Sequence, residues 1–440
     1  MLAILISASV TACGQGARGN PAPPSAWSVG FWIWSWSAID ATAAGGHPFD
    51  VLYVQVGRVD DYHKNSASWP WGGNMPPAKE YWALWRCDPP AKLNEIQIPV
   101  IAGDFIKRKE EAAAKGQTIV GLQLDYDCPT NDLAEYASFL EKLKRALPGG
   151  TKISITALLD WFRTDTKIRE VLAHTNEFVP QFYDNAPSQG GATKGIAEPI
   201  DFARWGKTFN SFKVPYHVGI STFGRILAIQ NGSTRAFRDL APLDVLEHPG
   251  LKSISVEQTA SGERRSVMQV ERPTQINYWP LKTGDRVEII MPTRQSVLAG
   301  CDAVKQMGEF CSGVIFFRWP GSQESLVLNP SQVLSWITHA DIALGNPTLA
   351  AEEGNCAAVS CMDLDLRIPN QLPENTTIFT IRSSLPLEYF LVNEKIKSRI
   401  SVTGASTMRL ELPAFHGTGR VYLGRAVTLE EAKFTVVEEK

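Results

Sequence analysis

The strongest constraint on this chain is a recurrence in which short apolar runs alternate with stretches of helical period. The runs are SVGFWIW (28–34), DVLYVQVG (50–57), IPVIAG (98–103), IVGLQLDYD (119–127), KISITALL (152–159), FVPQFYD (178–184), VPYHVGIS (214–221) and GVIFFRW (313–319). Between the fourth and fifth, Leu133, Tyr136, Leu140, Leu143 and Leu147 recur at helical spacing, with Thr130 or Asp132 available as a cap and Gly149 as a stop. A strand buried on both faces followed by an amphipathic helix is the unit of a parallel sheet. Eight such runs predict an α/β fold, a (β/α)8 TIM-type barrel.

Two spacings are irregular. Segment 58–97 holds Trp69, Trp71, Tyr81, Trp82 and Trp85 among prolines and glycines, and reads as an aromatic loop that packs over the barrel or binds something flat. Segment 222–312 contains strand-like runs at 253–258 and 286–292 before a helix near 295–309, so a β-rich insertion over about 222–295 is expected before the last strand. After about residue 340 the runs at 377–383, 398–404, 407–413 and 420–428 alternate in polarity and are parted by Gly and Pro, with a short helix expected at 429–432. The domain reading is therefore 1–26 as signal peptide and tether, 27–340 as barrel, and 341–440 as a β-sandwich-like domain that binds polymer or stabilises the barrel.

The first residues form an apolar stretch, Leu2 to Val10, too short to span a bilayer. Val10-Thr11-Ala12-Cys13 follows, without a preceding Lys or Arg, and resembles a bacterial lipobox. That resemblance implies lipidation at Cys13, a Gly/Pro/Ala-rich tether, and an exported protein held in the bacterial cell envelope by a lipid anchor alone. The other cysteines are Cys87, Cys128, Cys301, Cys311, Cys356 and Cys361, an even set that allows disulfides in an oxidising compartment. Local pairs Cys301 with Cys311 and Cys356 with Cys361 would leave Cys87 with Cys128. Zinc is disfavoured, because CAAVSC has no second matching pair and no nearby His at ligand spacing.

A net charge of -3 with dispersed Lys and Arg offers no basic stripe for nucleic acid. No motif for a nucleotide, nicotinamide or flavin occurs, and no cofactor is expected.

The stretch GLQLDYDCP carries the chemistry. Alternation directs Val120, Leu122, Leu124 and Tyr126 toward the helices, and Gly121, Gln123, Asp125 and Asp127 toward the barrel axis. The aspartates end the strand, on the face where barrel enzymes build their sites. Carboxylates two residues apart on one face lie about 6–7 Å from each other by backbone rise. One ionised carboxylate then raises the pKa of its neighbour, and a protonated acid is what a glycosidic oxygen needs. Other expected strand ends add Asp160, Gln181, Tyr183, Asp184, Arg318 and Trp319, which together suit a sugar: rings for its apolar faces, polar groups for its hydroxyls. A metal-dependent hydrolase using Asp125 and Asp127 as ligands would lack the histidines such sites usually add.

GLQLDYDCP, LAEYASFLEKLKRALP, ISITALLDW and GVIFFRWP together resemble a bacterial barrel family known as domain of unknown function 3142, over most of residues 27–338. That family implies no activity. More distantly, GLQLDYD and PQFYDNAP are similar to the fourth- and sixth-strand motifs of family 18 glycoside hydrolases and class III chitinases. This resemblance implies Asp127 as general acid, Asp125 as the residue orienting a substrate N-acetyl group, Tyr183 as support for its oxygen, and Gln181 as a sugar contact. The substrate's acetamido oxygen would be the nucleophile. Gln123 stands where that family has its first aspartate, and Asp127 where it has glutamate, which retracts the acid by one carbon. Without an acetamido group, Asp184 or Asp160 would have to serve as the second carboxylate. The expected function is acid-assisted cleavage of a polysaccharide or oligosaccharide; the alternative is a non-catalytic carbohydrate-binding or envelope-scaffold lipoprotein on the same fold.

Overall fold

A computed structural model of the chain describes residues 27–34, 48–59, 67–72, 75–183, 199–237, 240–321, 324–342, 344–356, 359–371, 376–413 and 418–439. Cys13, its tether and Asp184 lie outside the described residues.

Eight parallel strands close on themselves: Ser28–Ile33, Phe49–Val59, Ala78–Cys87, Ile119–Tyr126, Lys152–Ala157, Glu177–Pro180, Tyr216–Ser221 and Cys311–Phe317. Closure rests on the first strand, where Gly30 pairs with Val51 of the second and with Ile315 of the eighth. Outward side chains such as Leu52, Leu122, Leu124, Ile153 and Val218 join the helices in one large core. Inward aromatic residues, among them Trp32, Tyr53 and Trp82, form a second cluster along the axis. The barrel is thus filled rather than hollow.

The expected third strand at 98–103 is a helix. Ile98, Ile101, Ala102, Phe105, Arg108 and Ala112 are the buried stripe of Gln97–Ala113, and IPVIAG is its first turn and a half. The third strand is instead AKEYWALWRC, Ala78–Cys87, from the segment read as an aromatic loop. Tyr81, Ala83 and Trp85 face the helices while Trp82 and Leu84 face the axis, so both faces are apolar and no alternation shows.

The fourth strand keeps the expected inward and outward sets with one change. Tyr81 pairs with Ile119 but Trp82 pairs with Gly121, a bulge that leaves Val120 against the axial cluster instead of the helices. The following helix, Leu133–Ala146, buries Leu133, Tyr136, Leu140 and Leu143 as expected, with Asp132 at its N-cap and no side-chain capping bond.

Between the seventh and eighth strands lies a five-stranded antiparallel sheet, in the order 233–237, 225–230, 286–291, 264–270, 251–258. After the barrel come two four-stranded antiparallel sheets that share one core, with Leu364, Leu366 and Leu423 from one sheet and Phe379, Ile381, Met408 and Leu410 from the other. Residues 429–432 form no helix; so short a run cannot offset the cost of nucleation.

Of the expected disulfides, only Cys356–Cys361 is formed. Cys87, Cys128, Cys301 and Cys311 are not disulfide-bonded. Cys87 Sγ faces the carbonyl of Ala91 at 3.5 Å and Cys128 Sγ that of Pro129 at 3.4 Å, so each lies against its own chain segment. Burial pushes the thiols of Cys128, Cys301 and Cys311 up to about 12, which makes them packing groups.

Gly121 is where the fourth strand tolerates no side chain: a Cβ there would lie 2.4 Å from the Trp82 ring and 2.6 Å from the carbonyl of Lys152. Gly121→Ala is expected to lower stability by about 1–3 kcal/mol in urea unfolding, because the backbone contact cannot yield as a side chain can. An unchanged midpoint would show that the strand shifts freely.

Candidate functional site

The axial polar residues of the fourth strand meet very different surroundings. Gln123 is fully buried, accepting from Trp32 Nε1 at 2.7 Å and donating to Ser154 Oγ at 2.9 Å. It ties the first, fourth and fifth strands together and presents no surface to solvent.

One layer nearer the carboxyl ends sits Asp125, 9% exposed. Its Oδ1 accepts from Thr156 Oγ1 at 2.8 Å and from Gln181 Nε2 at 3.5 Å, while Oδ2 lies 3.9 Å from Arg86 Nε. The strand ends at Tyr126, so Asp127 stands past it and is exposed. The turn is fixed by Cys128 N–H on the carbonyl of Tyr126 at 2.8 Å, and by Trp161 Nε1 on the carbonyl of Cys128 at 2.9 Å. Burial first, then the charge of Asp127, push the Asp125 carboxyl up to about 6, against the opposing pull of Thr156 and Arg86. The mouth therefore holds a carboxyl that exchanges a proton near neutral pH, beside a carboxylate in contact with solvent.

Gln181 reaches Asp125 from just past the sixth strand, and Tyr183 stands two residues further on. Tyr183 is buried, stacked on Phe317 at 4.3 Å and edge-on to Trp32 at 5.6 Å. Gly219 permits that arrangement, since a Cβ there would meet Trp32 at 2.8 Å and Tyr183 at 3.0 Å.

Two expected site residues are placed elsewhere, and a third is held by a neighbour. Trp319 is buried in the outer layer against Phe31 and Phe49, at 6.0 and 5.5 Å, because the chain turns outward after the eighth strand. Asp160 lies on the short turn Leu159–Phe162, exposed and paired with Arg163 at 2.5 Å. Arg318 forms an ion pair with Glu324.

The sequence reading missed Arg86, Asp88 and Trp34. Arg86 closes the third strand, with its Nε 2.5 Å from Asp88 Oδ1 and its guanidinium carbon 4.5 Å from the centre of the Trp34 ring. Asp88 also pairs with Arg58. The signal is the Arg-Cys that ends AKEYWALWRC with Asp88 next to it, and it carries meaning only once that run is read as a strand.

A second polar cluster occupies the amino end of the barrel. Tyr53 donates to Glu177 Oε1 at 2.5 Å, His217 Nδ1 lies 3.3 Å from Glu177 Oε2, and His217 Nε2 is 2.7 Å from Ser28 Oγ. Burial pushes the Glu177 carboxyl up, but His217 and the hydrogen bonds of His217, Tyr53 and Ser154 outweigh it and hold it below the usual range. The order Ser–His–Glu is that of a nucleophile relay, yet the next backbone donor, Val29 N–H, is committed to Asp50 at 2.9 Å. It cannot serve an oxyanion, and the cluster reads as a closed structural network. Among the described residues, no group of three or more His, Cys, Asp and Glu side chains could hold a metal ion.

The raised Asp125 pKa has a definite sign in stability. Between about 4 and 6 the folded state holds a proton that the unfolded chain has released, so this group's contribution falls as pH rises through that window. Asp125→Asn is expected to flatten that part of the pH–stability curve and to raise stability at pH 7 by on the order of 2 kcal/mol. Carboxyl-carbon NMR should find one side chain titrating near 6 that the substitution removes. A curve unchanged by the substitution would contradict the assignment.

The barrel bears a distant likeness in fold to family 18 chitinases and to a spore cortex-lytic enzyme. The enzyme SleL of Bacillus cereus is 12% identical, with a TM-score of 0.46 over 73% of this chain and 76% of its own. A family 18 chitinase of Cycas revoluta is 13% identical, with a TM-score of 0.43 over 71% of this chain and 98% of its own. The barrel stands on its own strand pairing, and these likenesses assign no activity. No curated protein matches the chain in sequence. Residues 87–278, which include the third strand's end, the paired aspartates and Tyr183, match the family described as domain of unknown function (DUF3142).

Proposed function

We propose that the carboxyl-end mouth of the barrel cleaves glycosidic bonds of a polysaccharide, with Asp127 as the proton donor and Asp125 as the buried partner that stores the proton. The observation that carries this reading is the pairing of a carboxyl raised to about 6 with an exposed neighbour of the same charge. Asp127 reaches the solvent side, where a glycosidic oxygen would lie; Asp125 does not. A sugar bound over Asp127 strips it of water, which favours its protonated form. The glycosidic C–O bond then breaks as the leaving oxygen takes that proton, and water completes the anomeric carbon and returns a proton to the pair. Gln181 and Tyr183 hold the sugar, and an acetamido oxygen of the substrate, where present, attacks in place of a protein carboxylate.

One observation favours a second reading. Asp127 is exposed and one carbon shorter than a glutamate, a position that suits binding without turnover, as in a carbohydrate-binding or envelope-scaffold protein. Asp127→Asn decides between them: on a panel of chitin, cellulose and peptidoglycan fragments it should abolish product release and leave affinity within about threefold, since the amide keeps the carboxyl's shape but has no acidic proton to give. Native protein that binds these fragments but releases no product would sink the enzyme reading.

The Cys356–Cys361 disulfide supports an oxidising location, in keeping with an exported protein tethered to the bacterial envelope through Cys13. Incorporation of a palmitate analogue that Cys13→Ser abolishes is the expected result; unlabelled native protein would exclude the anchor.

A further inference from the structure

Arg86 is held in an unusual way for a cation at a barrel mouth. Its recorded ion pairs, to Asp88 at 2.5 Å and to Asp125 at 3.9 Å, both run through Nε. Neither Nη nitrogen has a recorded hydrogen bond to a described residue, and the side chain is 42% exposed. The guanidinium lies over Trp34, which follows the first strand, whereas Arg86 ends the third. The second strand runs between them. Arg86 therefore leans across that part of the mouth, fixed at its Nε edge and backed by an indole, with the paired Nη edge left for a ligand.

Resting on the glycan reading above, we propose that Arg86 forms a subsite for a sugar carboxylate, so that the preferred substrate is an acidic glycan whose carboxylated ring lies beside Asp125. A planar fork of N–H donors pairs best with a planar carboxylate, two bonds at once, and stacking on Trp34 fixes the plane of that fork. Charge permits it. Arg58 and Arg86 face Asp88 and Asp125, and below about pH 6, with the Asp125 carboxyl protonated, the aspartate pair carries about one negative charge; Tyr136 approaches Asp125 from the helix side as a neutral phenol. A single incoming carboxylate thus meets no net negative field. It also has a consequence for the reaction. Arg86 pulls the Asp125 carboxyl downward, and a bound carboxylate offsets that pull, so the substrate itself promotes proton uptake at the pair.

Titration calorimetry on the full chain tests this with oligogalacturonate and hyaluronan fragments, their carboxyl-reduced forms, a neutral chito-oligosaccharide, and a sulfated carboxyl-free oligosaccharide. The expected result is at least about tenfold tighter binding of a carboxylated fragment than of its reduced form, about 1.4 kcal/mol. Arg86→Met should remove that preference with the melting temperature unchanged, and Arg86→Lys should restore only part of it, because a point charge lacks the fork. A preference that survives Arg86→Met, equal binding of carboxylated and reduced fragments, or equal binding of the sulfated chain would overturn the subsite. In those cases retained affinity for neutral fragments leaves the glycan reading intact, whereas no affinity for any fragment removes both.

Discussion

A closed barrel cuts its inward side chains off from water on every side, so each polar group there must be satisfied by another. Gln123 meets this demand with both ends of its amide, linking Trp32 and Ser154 across three strands. At the amino end Ser28, His217, Glu177 and Tyr53 form a chain of contacts, with His217 Nδ1 facing Glu177 at 3.3 Å. Toward the carboxyl end satisfaction becomes incomplete at a carboxyl group. Asp125 has Thr156 and a long contact from Gln181 on one oxygen, but on the other only a cation 3.9 Å away and a like charge beyond. Its raised pKa comes from burial first and from that like charge second, which these partners do not offset. The site is therefore the place where the interior polar ladder runs out of partners.

This ladder explains which parts of the molecule were legible in the sequence. Alternation in GLQLDYD predicted which side chains face the axis, because in a strand buried on both faces only the polar residues reveal the period. It could not reveal depth. Gln123 and Asp125 are two residues apart on one face, yet the first is sealed by an indole and a hydroxyl brought from other strands. Such long-range closure leaves no local mark. The bulge at Val120 is equally silent, since it arises from the pairing of Trp82 with Gly121.

The third strand failed for a different reason. AKEYWALWRC is apolar on both faces and flanked by prolines, and its aromatic residues suggested a binding loop. IPVIAG looked more like a strand, but the charged run behind it extends a helix whose stripe of Ile98, Ile101 and Phe105 covers the barrel. Exchanging these two elements hid Arg86 and Asp88. A strand's last residues acquire functional meaning only once the strand is known to be one, so an error in element type became an error in the site.

The sheets that follow the barrel are coupled to its mouth through particular bonds. Thr418 donates to the carbonyl of Val327 at 3.0 Å and lies 3.4 Å from that of Glu324, the residue paired with Arg318. Leu243 of the five-stranded insertion is buried in the core of the C-terminal sheets, while Lys395 and Arg399 pair with Asp244 and Glu247 beside it. Exposed pairs of this kind contribute at most about 1 kcal/mol each, and a buried leucine about 2 kcal/mol. The apolar contact therefore joins the two β-rich parts more firmly than the ion pairs, which fix its register. Because the Glu324 segment follows the eighth strand directly, that brace also limits where Arg318 can stand. The C-terminal sheets thus help to define one wall of the mouth, whatever else their outer faces contact.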